Sequence, residues 1–239
     1  MKITVLYGNN RKGSTYHSVQ AVLSRIQGEK QVEEFFLPRD MPHFCLGCFN
    51  CIKKGEEFCP HAEDAGPIIR SLEEADLIVL SSPVYVYDVS GSLKAMLDHV
   101  AYHWLIHRPH PPMFQKVALC VSTTAGGGLK STLGTMKHSL RFWGVPKIYT
   151  LGTVVHASRW EDVSEKTKAK IEKRAEGLAR SIGRSVESGR NPSPSPYKRG
   201  MLFLAKKLQQ AERPMSQRDA AYWKANGWLD GQKPWKTAK

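Results

Sequence analysis

The chain of 239 residues is 41% hydrophobic and 24% charged, and its formal net charge is +13 at pH 7. This length fits one domain, or one domain with an appendage, and the composition is typical of a globular chain. No apolar run approaches the ~20 residues of a membrane-spanning helix, and the N-terminus lacks the pattern of a secretory signal, so we expect a cytoplasmic protein.

Five apolar runs alternate with helical patterns along the chain. The predicted strands are 2–7, 31–37, 76–81, 116–122 and 147–153, and the predicted helices are about 14–27, 64–74, 90–107, 129–143 and 164–188. Such alternation predicts a parallel sheet with helices on both faces. Five strands fit an α/β, flavodoxin-like three-layer sandwich with the strand order 2-1-3-4-5.

The loop 8–16 connects the first strand to the first helix and is a candidate anion site. Ser14 and Thr15 supply hydroxyl groups, Arg11 supplies charge, and the amides of a helix N-terminus lack partners within the helix. Lys12 precedes the second glycine, whereas the lysine of a triphosphate-binding P-loop follows it. The loop therefore suits a single phosphate monoester, and the alternative is a capped turn with basic residues in solvent.

A compact cysteine group follows the second strand. Cys45, Cys48, Cys51 and Cys59 have a spacing at which four thiolates ligate an iron–sulfur cluster or a tetrahedral zinc ion, and free thiols are the third alternative. The loop after strand 2 leaves the sheet beside the loop after strand 1, so we expect these cysteines near the anion site. Cys120 lies within a predicted strand and is interpreted as a buried hydrophobic residue.

The loops after strands 3 and 4 leave the same edge of the sheet. Residues 81–88 are apolar and aromatic, and residues 123–128 end in three glycines. Flavin mononucleotide (FMN) requires three features: a slot with backbone donors along the edge of its ring, a glycine-rich segment that can approach the ring closely, and a loop that binds its phosphate. Ordinary packing of the tyrosines and a flexible glycine turn are the alternatives for each loop taken alone.

Four histidines follow in and after the third predicted helix. His99, His103 and His107 recur every four residues, with His110 just beyond, so a helix over 90–107 would place three of them on one face. Histidines four apart can bind zinc, but a polar helix face or an interface is the more common arrangement. Since this helix leaves the loop after strand 3, its histidines are candidates for the border of a substrate entrance.

The end of the chain differs in composition from the rest. Residues 191–196 predict a non-helical Pro/Ser linker, followed by a basic helix at 197–210. We divide the chain into a domain at 1–189 and an extension at 190–239. Trp223 and Trp228 favour packing of the extension on its own domain or on a partner subunit over contact with a membrane surface or nucleic acid.

The sequence resembles the NAD(P)H-dependent FMN reductase family over roughly residues 1–185. The loop 8–16 is similar to that family's phosphate loop, with Asn9-Asn10 in place of Ser-Pro, and residues 82–85 with 89–98 resemble its S-P-[IV]-Y and S-x-x-L-K segment. The resemblance implies bound FMN, NAD(P)H as co-substrate, hydride transfer, and a homodimer or tetramer. It implies FMN contacts at Asn9, Arg11, Ser14, Thr15, Tyr16, Pro83, Val84, Tyr85, Val86, Tyr87, Thr123, Thr124, Ala125, Gly126 and Gly127.

The cysteine spacing is similar to that of the iron–sulfur flavoproteins, a branch of the same family. That resemblance implies a 4Fe-4S cluster which relays electrons to and from FMN. We therefore expect an FMN-dependent oxidoreductase that reduces a small acceptor such as a quinone, an azo or nitro compound, or free flavin. The alternatives are an iron–sulfur flavoprotein with a protein partner and a non-catalytic flavin- or nucleic-acid-binding module. Hydride transfer requires no acid–base side chain, so no catalytic residue is assigned.

Overall fold

The five predicted strands form one parallel sheet in a computed structural model, which describes residues 1–189, 194–212, 214 and 216–236. The sheet order is β2-β1-β3-β4-β5, which confirms the predicted topology. The strands are β1 at Lys2–Tyr7, β2 at Gln31–Phe36, β3 at Leu77–Ser81, β4 at Val117–Thr124 and β5 at Lys147–Val154. Because all five are parallel, their carboxyl ends meet at one edge.

Helices cover both faces of this sheet. The helices are α1 at Ser14–Leu23, α2 at Asn50–Lys53, α3 at Ala62–Glu74, α4 at Gly91–His99, α5 at Leu129–Phe142, α6 at Glu165–Glu187, α7 at Pro196–Gln209 and α8 at Gln217–Ala225. Apolar faces of α1 and α6 pack on one side of the sheet, and those of α3, α4 and α5 pack on the other. The central strands β3 and β4 are buried on both faces, as expected for their continuous apolar runs.

The predicted helix at 90–107 is wrong beyond its first half. Helix α4 ends at His99, and two short 3-10 helices, Ala101–His103 and Pro111–Gln115, follow it. Half of residues 100–107 are aromatic or imidazole side chains of low helix propensity, and several residues of this segment are buried instead. The histidines of this segment therefore do not share one helix face.

The C-terminal extension packs against the segment that follows α4. Trp223 and Trp228 are fully buried in a cluster with Leu105 and Phe114 from that segment and with residues of α7. This packing agrees with the expectation that the extension covers its own domain. The predicted linker is wrong at Pro196, which begins α7, since proline is tolerated in the first turn of a helix.

Part of the predicted linker, residues 191–193, lies outside the described residues. The division of the chain at residue 189 stays a prediction. Within the described part of the chain, none of the helices combines the length and apolarity needed to cross a membrane.

Candidate functional site

A cleft lies at the edge of the sheet where the strands end. Its volume is about 210 Å³. Its walls come from the loops after β1, β3, β4 and β5. The lining residues are Asn9, Arg11, Gly13, Ser14, Thr15, Pro83, Val84, Tyr85, Thr123, Thr124, Ala125, Val155, Ala157 and Ser158.

The N-terminus of α1 faces this cleft. Its first residue is preceded by Gly13, and within the described residues no side chain caps the helix. The amides of the first turn therefore remain available to a ligand, and the helix dipole favours an anion there. Arg11 extends beside them and donates a hydrogen bond to the carbonyl of Ser158 at 3.1 Å. Thr15 and Thr123 join their hydroxyls at 2.6 Å, which fixes the helix against the end of β4.

The loop after β1 is held in place by the start of α4. The Ser90 hydroxyl donates to the carbonyl of Gly8 at 2.5 Å and caps α4 by accepting from the Leu93 amide. A Cβ at Gly8 would lie 2.6 Å from that hydroxyl oxygen, so only glycine allows this approach. Ser82 in turn accepts from the Ser90 amide. The loops after β1 and β3 are thus connected through one serine.

The loop after β3 ends in a tight two-residue turn. Tyr85 and Asp88 exchange both backbone hydrogen bonds, at 2.8 and 3.1 Å, around Val86 and Tyr87. Both turn residues have positive φ, 47° and 65°, and the Val86 side chain is 97% exposed. A β-branched residue with positive φ is strained, and such strain is commonly found at functional sites. Within the described residues, the Val86 and Tyr87 amides donate to no acceptor, so they are available at the tip of the turn.

The glycine-rich loop after β4 packs closely against this turn. Gly128 has a φ of 92°, and a Cβ there would lie 2.5 Å from Cγ1 of Val84 and 3.0 Å from Cα of Tyr87. Thr124 shapes the loop by donating to the Gly127 carbonyl and accepting from the Gly126 amide. The loops after β3 and β4 therefore touch one another, and glycine is required where they meet.

Ten of the fifteen residues for which the sequence predicts FMN contacts line the cleft. Tyr16, Val86, Tyr87, Gly126 and Gly127 are not among the lining residues. Tyr16 instead packs its ring near Tyr7 and Phe36. Sequence reasoning missed Val155, Ala157 and Ser158, although the loop after strand 5 must reach the same edge of a parallel sheet.

The cysteine segment lies between β2 and α3. Cys45 and Cys48 are exposed, whereas Cys51 and Cys59 are partly buried. Burial raises the pKa of the Cys51 thiol, and the other three thiols raise it further. Burial also raises the pKa of Cys59. Both thiols are therefore held in the protonated form near neutral pH unless a cation binds them.

Cys59 lies beside two imidazoles. Nδ1 of His61 and Nε2 of His99 are 3.0 Å apart, and the Cys59 sulfur lies within 4.8 Å of both rings' ligand atoms. These three are the one such group of metal-ligating side chains in the described part of the chain. The other histidines have separate partners: His103 pairs with Glu73 and His107 with Asp219. None of the four predicted histidines lines the cleft. Their position at the border of a substrate entrance stays a prediction.

Arg108 connects the cysteine segment to the extension. Its guanidinium donates to the carbonyls of Cys51 and Ile52 and to the Asp219 carboxylate at 2.6 Å. Asp219 is completely buried, and the hydroxyl of Ser216 also donates to the Ile52 carbonyl. A buried charge needs such partners to avoid a large desolvation cost. The position of α2 is therefore set partly by residues more than 150 positions later in the chain.

The donor sets fit the two groups that the sequence predicts. Uncapped amides, an arginine and hydroxyls match a phosphate monoester, while exposed apolar groups with free amides at the Val86–Tyr87 turn match a flat heteroaromatic ring. Four cysteines in one segment match the ligand type of an iron–sulfur cluster.

Comparison with known proteins agrees with this geometry. Residues 1–161 match the family described as NADPH-dependent FMN reductase. An iron–sulfur flavoprotein of Archaeoglobus fulgidus is 27% identical over 96% of this chain and 100% of its own length. A crystal structure of an azoreductase from Bacillus anthracis superposes with a TM-score of 0.59, 15% identity and coverage of 76% of this chain and 99% of the azoreductase. An FMN-dependent NADH-azoreductase from the same organism, in complex with FMN, gives a TM-score of 0.53 at 12% identity, covering 75% and 100%.

Proposed function

The chain belongs to the NADPH-dependent FMN reductase family, and from that premise we propose that it passes reducing equivalents from NAD(P)H, through FMN in the cleft, to a small acceptor. Quinones, azo and nitro compounds and free flavin are the acceptor classes that such a cofactor reduces. The observation that carries the proposal is the uncapped N-terminus of α1, which opens on a cleft beside an exposed apolar turn. FMN itself supplies the hydride chemistry when it is bound.

The phosphate end of FMN belongs at α1 in this proposal. The first-turn amides and the hydroxyls of Ser14 and Thr15 donate to the phosphate oxygens, and Arg11 and Asn9 close the site from the side of the loop. The link between Thr15 and Thr123 holds the donors in position before the ligand arrives. Such preorganisation lowers the ordering cost of binding.

The ring end belongs against the loops after β3 and β4. Pro83, Val84 and Tyr85 supply one wall, and the Val86 and Tyr87 amides are donors for the polar edge of the ring. Thr123, Thr124, Ala125, Gly126 and Gly127 supply the opposite side. Fixed amide dipoles near a ring that gains negative charge on reduction stabilise that form electrostatically.

Anaerobic reduction of the FMN-loaded protein tests the activity. We expect NADH or NADPH to bleach the flavin absorbance, and a quinone or azo dye to restore it over many turnovers. Failure of both nucleotides to bleach the bound flavin contradicts the proposal.

Two arginine variants test the position of the phosphate. Arg11→Ala is expected to weaken FMN binding roughly 10–100-fold, the effect of one charged hydrogen bond. Arg159→Ala is the matched control, because Arg159 is exposed and pairs with Asp162. Equal FMN affinities in the two variants would place the phosphate elsewhere.

A second candidate function is an electron relay that uses an iron–sulfur cluster. It rests on the four cysteines and on the relative of 27% identity, whose name is iron–sulfur flavoprotein and which aligns over its full length. In this candidate Cys45, Cys48, Cys51 and Cys59 hold a 4Fe-4S cluster that exchanges single electrons with FMN and a protein partner. Anaerobic purification should then give broad absorption near ~400 nm with iron and acid-labile sulfide, all lost in a Cys45→Ser/Cys48→Ser variant.

We further propose that two or four copies assemble. The exposed Val86 and Tyr87 at the tip of their turn are apolar surface beside the cleft, and a second copy would cover them. Light scattering of the FMN-loaded protein should give at least twice the 26.9 kDa of one chain. A monomeric mass at micromolar concentration contradicts this part.

A further inference from the structure

We propose that Cys59, His61 and His99 form a binding site for a divalent transition metal of the zinc class, separate from the FMN cleft. A thiolate and two imidazoles are the ligand types that zinc prefers, and three protein ligands with one open position form a recurring arrangement for this ion. The donor atoms of all three side chains lie within 4.8 Å of one another.

The spacing of the two imidazoles suits coordination to one ion. A tetrahedral ion with Zn–N bonds of about 2.0–2.1 Å holds two nitrogens about 3.3 Å apart. Nδ1 of His61 and Nε2 of His99 are already 3.0 Å apart, so a small displacement of either ring would admit the metal. The hydrogen bond between them is then exchanged for two bonds to the metal: the His61 proton moves from Nδ1 to Nε2, and the Cys59 thiol releases its proton as it becomes the thiolate ligand.

The orientation of His99 is fixed for this role. Its Nδ1 lies 2.7 Å from the carbonyl of Ala95, which can only accept, so Nδ1 carries the proton and the lone pair is on Nε2. A backbone carbonyl that orients a ligating histidine is the usual second contact in zinc sites. His99 is buried, 5% exposed, within helix α4, which holds its ring in place.

A cavity of about 520 Å³ lies beside Cys59 and His99 and leaves the fourth coordination position open. Cys59 and His99 lie in its wall, together with Cys51, Glu63 and Tyr102. A water molecule or a small anion can therefore reach an ion held by the three side chains. His43 stacks on His61 with ring centroids 4.4 Å apart, but it is not part of the ligating group.

The site shares Cys59 with the four-cysteine cluster of the second candidate function. One thiolate cannot serve both arrangements at once, so the two metal states exclude each other within one molecule. No three of the four cysteine sulfurs lie within 4.8 Å of one another in the described chain. A tetrahedral ion holds two thiolates roughly 3.8 Å apart. These distances therefore favour a single zinc ion held by Cys59, His61 and His99 over a zinc ion held by the cysteines alone.

Cobalt titration of the chelator-treated, FMN-loaded protein tests the proposal. We expect one Co²⁺ per chain, with the intense visible bands of tetrahedral cobalt and a sulfur-to-cobalt charge-transfer band. Zn²⁺ should displace the cobalt and remove both signals. His61→Ala and His99→Gln should each weaken Co²⁺ binding roughly 100-fold or more, because each removes one ligand of three.

Three further variants separate this site from its alternatives. His43→Ala, the matched control, should retain cobalt affinity within a few-fold. Cys45→Ser/Cys48→Ser should retain the tetrahedral spectrum although it abolishes a cluster, and Cys59→Ser should lose it. Loss of the spectrum in Cys45→Ser/Cys48→Ser, or its persistence in both histidine variants, overturns the proposal. All of these variants should still bind FMN, because the metal site is separate from the FMN cleft. FMN binding therefore shows independently that each variant is folded, and it tests the proposed function apart from the metal site.

Discussion

Val86 and Tyr87 adopt a backbone conformation that their side chains disfavour. Turns of this kind prefer Asn-Gly, because both central residues have positive φ. Here the ends of the turn are fixed: Asp88 accepts from the Val89 amide at 2.7 Å and from the Thr135 hydroxyl at 2.8 Å. The surrounding contacts thus impose a conformation that the local sequence would not select.

Replacing Val86 should relieve this strain. Val86→Asn is expected to raise the free energy of unfolding by about 0.5–1.5 kcal/mol, because asparagine tolerates positive φ. Urea unfolding of the purified protein measures the change. Val32→Asn is the control at an exposed valine within β2, where we expect no stabilisation. A loss of stability in the Val86 variant would show that the turn is not strained.

Gly128 should tolerate no side chain. Gly128→Ala combines positive φ with a contact of 2.5 Å to Val84, so we expect a loss of about 2–4 kcal/mol and weaker FMN binding. Gly134→Ala is the matched control, since a Cβ at Gly134 in α5 meets nothing within 4 Å and Gly134 has no role in the proposed FMN site. Thermal unfolding and FMN fluorescence quenching measure both effects. Similar results for the two variants would contradict the close packing of the loops.

His110 should make the protein less stable in mild acid. Burial lowers its pKa to about 4, although Glu73 opposes this, while His103 and Lys116 favour it. Between about 6.5 and 4 the unfolded chain binds the proton and the folded chain does not, so stability falls as pH falls through that window. His110→Gln should flatten this dependence by on the order of 2 kcal/mol in urea titrations from pH 7 to 4. A His43→Gln variant with the wild-type slope is the control.

Residues of the cleft were predictable where topology alone placed them. The strand order determines the edge at which the parallel strands end. The loops at that edge include Ser14, Thr15, Pro83 and Thr123, which line the cleft as predicted. The positive φ values of the β3 loop were not predictable, because Val86 and Tyr87 carry no turn signal. The pairing of His61 with His99 was also missed, since it depends on where two separate helices meet.

Helix α4 shows the limit of periodicity at the scale of an element. Its apolar pattern continues past His99, but the chain leaves the helix there and buries Tyr102 and His103 instead. The central strands β3 and β4, by contrast, agree closely with their apolar runs, because a strand buried on both faces has no polar face to interrupt the pattern. A helix end is set by competing tertiary contacts, which periodicity does not record.

The contact of α8 with the cysteine segment depends on one carboxylate. Asp219→Asn should cost about 3 kcal/mol, because it removes the buried one of two carboxylates that pair with Arg108 and leaves only the half-exposed Glu56. Asp162→Asn is the control, since its pair with Arg159 is exposed and contributes at most about 1 kcal/mol. Urea unfolding measures both. We also expect iodoacetamide to alkylate Cys51 faster in the Asp219 variant than in the wild type. Equal alkylation rates in the two proteins would show that Asp219 stabilises the fold without holding α2 in place.

At the scale of the whole molecule, the extension contributes to the core. Trp223 and Trp228 fill a third apolar cluster that the sheet and its helices leave incomplete. The sequence indicated the extension by its charge and proline content, but these features do not reveal where it docks. Docking depends on Leu105 and Phe114, which belong to the segment predicted as helix and loop.

A chain that ends at residue 189 should fold poorly. It exposes Leu105 and Phe114 and removes Asp219, the buried carboxylate partner of Arg108. We expect a lower melting temperature or aggregation, together with weakened cobalt binding at the cysteine segment. Differential scanning calorimetry of the truncated and full chains measures the difference. Equal melting temperatures would show that residues 1–189 form an independent domain.

The buried contact between Arg108 and Asp219 has a consequence for the order of biosynthesis. Asp219 lies 160 positions after Cys59, and at roughly 5–20 residues per second a ribosome makes it about 8–32 s later. For most of that interval the nascent chain has the four clustered cysteines and Arg108, but not the buried Asp219 carboxylate that helps to hold this arginine against the Cys51 and Ile52 carbonyls. The cysteine segment is therefore synthesised early, but it reaches its final form only after the part of the extension that contains Asp219 has been made.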